Sequence, residues 1–143
     1  MMIDTSYLES LLGYNARRAS LVIIDHFVRG MSEFDLRPVD FSVLSVILHN
    51  PGVTSRQLCA TLSILPPNLV GLIKGLESRA LIQRQPHPQD RRAMGLHATD
   101  AGRAMMLQAE ARASDLERQA AQALSEAEQA QLIALLQRLY LNR

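Results

Sequence analysis

The chain has 143 residues, 48% of them hydrophobic and 20% charged, and a single cysteine, Cys59. That length suits one domain with a real core, and one cysteine excludes an internal disulfide framework and a multi-cysteine zinc site. The net charge of +1 is unevenly spread: residues 51–103 hold seven basic side chains against three acids, while residues 1–50 and 104–143 are net acidic.

No apolar run approaches the ~18 residues that span a bilayer. Asp4 and Glu9 precede the first basic residue, so the N-terminus does not read as a signal peptide. The expected location is cytoplasmic, with no membrane partner.

Ser6 followed by Glu9 has capping-box spacing and predicts a helix over residues 6–31, with an apolar face of Leu8, Leu11, Leu12, Leu21, Ile24 and Val28. Pro38 suits the first turn of a helix over residues 38–49, which Pro51-Gly52 ends. A second capping box, Thr54 with Gln57, opens a helix over residues 55–62. Another helix follows over residues 66–79. Leu58, Leu62, Ile64, Leu69, Leu72, Ile73 and Leu76 keep helical spacing on either side of the break, which packs the two helices together. Residues 81–86 and 93–97 alternate around a loop, residues 87–92, too polar to be core, and so read as a β-hairpin. Thr99 caps a helix reaching about residue 123, with Met105, Met106, Ala109, Ala113, Leu116, Ala120 and Leu124 on one face. Ser125 and Glu128 box the last, over residues 126–141.

Two short helices joined tightly and followed by a hairpin make a helix-turn-helix with a wing. The expected fold is mainly α with a small β-hairpin wing. It is a single domain over residues 1–143, in which residues 36–103 form a DNA-binding lobe. Residues 1–35 and 104–143 form a helical dimerisation layer, because their apolar faces exceed what a small winged helix needs.

On the second helix of the pair, Pro66, Pro67, Asn68, Gly71 and Lys74 are left outward. The N-terminal positions of a recognition helix meet base edges, and Asn68 matches adenine in the major groove while Lys74 suits phosphate or guanine. Taken alone, this is equally a helical hairpin with a solvated face. The hairpin tip, Asp90-Arg91-Arg92, favours DNA: a tip arginine enters the narrow, negative minor groove, with Asp90 holding its guanidinium by a forked pair. Arg56, Lys74, Arg84 and Arg91 are then the phosphate contacts.

From Leu36 to Met105 the chain resembles the MarR family of bacterial winged-helix regulators, through the stretches LRPVDFSVL, NPGVTSRQL, LVGLIKGLESRALI and PQDRRAMGLHATDAGR. The most specific feature is Asp90-Arg91-Arg92 followed by Thr99 and Gly102. The resemblance implies a homodimer on double-stranded DNA with a palindromic operator, Arg92 as the minor-groove arginine and Asp90 as its partner. It also implies a repressor released by a small aromatic, anionic or acyl-CoA-type effector. For that ligand the candidates are Tyr14, Arg17, Arg18 and His26, beside the plainer reading of inter-helix salt bridges. The chain departs from the family at Leu65, where Ser or Thr usually caps the recognition helix. Gly71 replaces a polar or basic residue, Ala80 a glycine, and Arg37 a threonine.

His26, His49, His87 and His97 show no metal-binding spacing, and no nucleophile, carboxylate pair or phosphate loop assembles by spacing. The expectation is therefore no enzyme, no metal and no cofactor. The remaining alternatives are a winged helix that binds protein, and a redox sensor through Cys59, which otherwise reads as a small core residue.

Overall fold

A computed structural model describes residues 1–141. In chain order the elements are α1 (Ser6–Glu9), α2 (Leu12–Gly30), a 3-10 turn (Ser32–Phe34), α3 (Pro38–His49), α4 (Ser55–Leu62), α5 (Pro66–Ser78), β1 (Ile82–Pro86), β2 (Met94–Ala98), α6 (Asp100–Ala120) and α7 (Glu126–Tyr140). The mainly helical fold with one antiparallel hairpin is the one expected. The final residues of the expected C-terminal layer, 142 and 143, lie outside the described residues.

The first expected helix is two. Ser10 and Asn15 supply the reason, since short polar side chains compete with the helix for backbone carbonyls. The Ser10 hydroxyl donates to the Tyr7 carbonyl at 2.6 Å, and the Asn15 amide donates to those of Glu9 and Leu11, both at 2.8 Å. Nor does Ser6 cap α1. Asp4 is held below the usual carboxylate range by the Ser6 hydroxyl and then by the Ser6 backbone N–H, which it accepts at 2.9 Å, and the Thr5 hydroxyl donates to Glu9. The other two capping boxes form as expected, Thr54 with Gln57 and Ser125 with Glu128.

The chain divides into two compact units, one of Val28–Ala113 and one of Met1–Phe27 with the chain from Ser114 onward. The first holds most of the core: Met31, Val43, Leu44, Ile47, Leu58, Leu69, Ile73, Leu76, Leu96 and Met106 are all at most 2% exposed. Burial of this kind stabilises by roughly 1.5–3 kcal/mol per large apolar side chain. Polar ties fix its edges. The Glu110 carboxylate on α6 accepts from the Ser45 hydroxyl and meets the His49 ring, both on α3. The Arg112 guanidinium donates to the Gly30 carbonyl and pairs with Glu33, 5.7 Å from the Phe34 ring centroid.

In the second unit, among the described residues, only Phe27 and Leu116 are buried hydrophobics. Tyr7, Leu12, Val22, Ile133, Leu139 and Tyr140 stand exposed, and α7 buries no residue at all.

The join from α5 to α6 explains the Thr99/Gly102 spacing physically. The helix α5 ends in a Schellman motif, with the Leu81 N–H donating to the Leu76 carbonyl and the Ala80 N–H to that of Glu77. The motif puts Ala80 at φ 57°, in left-handed space. The Thr99 hydroxyl donates to the Ala80 carbonyl at 2.6 Å and accepts the Gly102 N–H at 3.0 Å, while the Thr99 N–H donates to the Leu81 carbonyl. A side chain at 102 would overlap that same Leu81 carbonyl. Thr99 and Gly102 therefore lock the start of α6 onto the end of α5.

Candidate nucleic-acid interface

The axes of α4 and α5 meet at 116° across a break at residues 63–65, within the range of a helix-turn-helix. Ser63 makes the turn in left-handed space at φ 53°, and Pro66 sets the first turn of α5 with no side-chain cap from Leu65. Leu69, Ile73 and Leu76 bury one side of α5. By helical spacing the opposite side is Pro67, Gly71, Lys74 and Ser78, flanked by Asn68 and Val70. Pro66, Pro67, Asn68, Gly71 and Lys74 are all exposed, as expected.

The wing pairs Ile82 with Ala98 through Pro86 with Met94. Its base is held by the loop after α3: Gly52 donates to the Leu96 carbonyl and Leu96 to that of Val53, both at 2.8 Å. At the tip, Asp90, Arg91 and Arg92 are all exposed. One expectation is corrected here. Asp90 does not fork onto a guanidinium; it accepts the backbone N–H of Arg92 at 3.0 Å. The carboxylate shapes the turn, and the arginine side chain is left to solvent. A two-pronged contact forms elsewhere, where Arg84 on β1 donates through Nε (3.1 Å) and Nη2 (3.0 Å) to Glu77 on α5. Arg84 is thus a tie between the wing and α5, a role its sequence position did not reveal.

Arg56, Pro66, Lys74 and Arg84 come together around a concavity of about 540 Å³, floored by Leu69 and Ile73. Cys59 is partly buried on its wall rather than in the core. Arg79 donates to the carbonyls of Phe34 (2.8 Å) and Asp35 (2.6 Å). Where a threonine usually precedes α3, the exposed Arg37 gives its N–H and guanidinium to Asp40, which raises its already high pKa.

Of the candidate effector residues, Tyr14 and Arg18 meet, while His26 stands apart. Arg18 lies 6.0 Å from the Tyr14 ring centroid, and Arg17 is exposed beside it. His26 turns its ring to the Val22 carbonyl, twelve residues from Tyr14 and so about 18 Å along α2. Among the described residues no group of His, Cys, Asp or Glu could hold a metal ion, and no single helix is long and apolar enough to cross a membrane.

A helix-turn-helix carrying an arginine-tipped wing is the architecture of a DNA-binding transcriptional regulator. Comparison with known proteins gives the family. Residues 34–93 match the MarR family. Over 130 residues the chain is 31% identical to a putative transcriptional regulatory protein for the hcr operon of Thauera aromatica, covering 90% of this chain and 78% of that protein. The transcriptional repressor CouR bound to a 23-mer DNA duplex superposes with a TM-score of 0.91 at 32% identity, covering 97% of this chain and 99% of that one. CouR from Rhodococcus jostii RHA1 bound to p-coumaroyl-CoA gives 0.85 at 26% identity, covering 95% and 96%. The chain belongs to the MarR family of transcriptional regulators.

Proposed function

We propose that this protein is a homodimeric repressor that grips a palindromic operator and is released by a small aromatic or anionic ligand, including acyl-CoA thioesters. The observation that carries the DNA half is the geometry of the lobe: an outward face on α5 and an unpaired arginine tip on the wing, tied to each other by Arg84 and Glu77. The recognition helix enters the major groove and Arg92 the adjacent minor groove. Exposed Leu12, Val22, Ile133, Leu136 and Leu139 support the homodimer, since apolar area of that extent seeks a partner. Half-sites one turn apart demand about 34 Å between recognition helices. A ligand that favours another spacing releases the operator by its differential affinity for the two states. The CouR complex with p-coumaroyl-CoA supports an aromatic acyl thioester as the first ligand to test. Arg17 and Arg18 are the side chains offered to its anionic groups.

The test is fluorescence anisotropy of the full chain on duplexes selected from a random pool, at two salt concentrations. Selective binding that falls linearly with log salt supports the reading; equal, weak binding to every sequence overturns it. Paired Arg17→Ala and Arg18→Ala variants should hold the operator normally yet resist release by the thioester.

A further inference from the structure

We infer that α5 reads its half-site through thymine methyl groups and one adenine, and makes no forked contact to guanine; this rests on the DNA-binding reading above. The donors that grip guanine are arginine and lysine; between Pro66 and Ser78 α5 carries no arginine and one lysine, Lys74. The two arginines nearest in sequence are engaged elsewhere: Arg79 on the carbonyls of Phe34 and Asp35, Arg84 on Glu77. The Ser78 hydroxyl is turned back to the Lys74 carbonyl. Lys74 shares a concavity with Arg56 and Arg84, where its point charge suits phosphate rather than a fork on guanine.

What the helix does offer a base edge is apolar. Leu65 is 69% exposed and Val70 52% exposed, and Pro66 and Pro67 stand exposed between them. Large aliphatic groups left in water on this outward face fit the thymine methyl, the one apolar group in the major groove. At the centre of this face an added Cβ on Gly71 would meet nothing within 4 Å. Packing within the lobe therefore does not require a glycine there. An open notch lets the helix backbone lie closer to the bases and brings Pro67 and Val70 within reach of the methyls. Asn68, on the other flank of the face from Val70, has the paired donor and acceptor that match adenine.

The experiment starts from the tightest duplex the full-length protein selects from a random pool. Each thymine is replaced in turn by deoxyuridine, which removes only the methyl, and each guanine by 7-deazaguanine, which removes only the N7 acceptor. Deoxyuridine at the contacted positions should weaken binding about fourfold per methyl, and 7-deazaguanine in the half-site should leave it unchanged. The Val70→Ala protein should bind the thymine duplex more weakly and lose its discrimination at one of those positions. Tight selective binding that ignores deoxyuridine and falls with 7-deazaguanine overturns the inference and leaves the DNA-binding reading intact. Failure to select any duplex overturns both.

Discussion

Asp90 and Arg92 divide their work differently from what their adjacency suggests. A carboxylate two residues before an arginine can reach either its guanidinium or its backbone N–H, and spacing alone does not choose between them. The structure chooses the backbone, as Asx turns do. Asp90→Asn keeps an acceptor oxygen at the same place and should leave operator affinity nearly unchanged. Asp90→Ala loses the turn contact and should weaken binding by about 0.5–1.5 kcal/mol. Had the pair been guanidinium to carboxylate, both variants would suffer. Arg92→Ala should weaken operator binding by about 1–3 kcal/mol, read by anisotropy on a folded protein; unchanged affinity would remove Arg92 from the minor groove. The sequence placed Arg91 and Arg92 at the tip correctly because a run of charges cannot be core. It did not show that Arg84 is held by Glu77, since that pairing depends on how β1 lies against α5.

The elements most legible in the sequence were those with local signals. Pro38, the Thr54 and Ser125 boxes and the Thr99 cap each fixed a helix start. The split between α1 and α2 was not legible, because it arises from Ser10 and Asn15 taking carbonyls within an unbroken apolar period. The lock between α5 and α6 was visible only as a motif; its cause is the crowding at Leu81. Two substitutions there should move stability in opposite directions. Ala80→Gly relieves a left-handed alanine and should stabilise the lobe by about 1 kcal/mol. Gly102→Ala forces a methyl into the Leu81 carbonyl and should destabilise it by about 1–3 kcal/mol or more. Urea melts of both variants beside the wild type measure the difference. Equal midpoints would mean that the join yields more easily than its hydrogen bonds imply.

For the whole molecule, the proposed dimer rests on side chains that a single chain leaves in water. Leu136→Glu with Leu139→Glu puts two charges on an exposed face of α7, where they should cost the lone chain little and the pair several kcal/mol, because an unpaired charge is expensive to bury. Sedimentation of the double variant should report a folded monomer. Its operator affinity should fall toward that of one half-site, since the two lobes no longer bind as one ligand. A variant that remains dimeric would place the interface on other helices. The sequence showed these faces clearly, as apolar periodicity beyond the needs of the lobe, but not what covers them, because an amphipathic helix looks the same whether its partner is its own chain or another.

The open position at Gly71 bears on how such a regulator changes over generations. Any residue that enters there other than proline gains helix propensity over glycine, by up to about 1 kcal/mol, and encounters no neighbour. On the proposed reading of α5, a substitution at this one place would change what the helix offers a base while leaving the fold untouched or improved. At Gly102 the same kind of change meets the Leu81 backbone and must displace it. Descendants of this chain should consequently diverge in the genes they control much faster than in the scaffold that presents the helix.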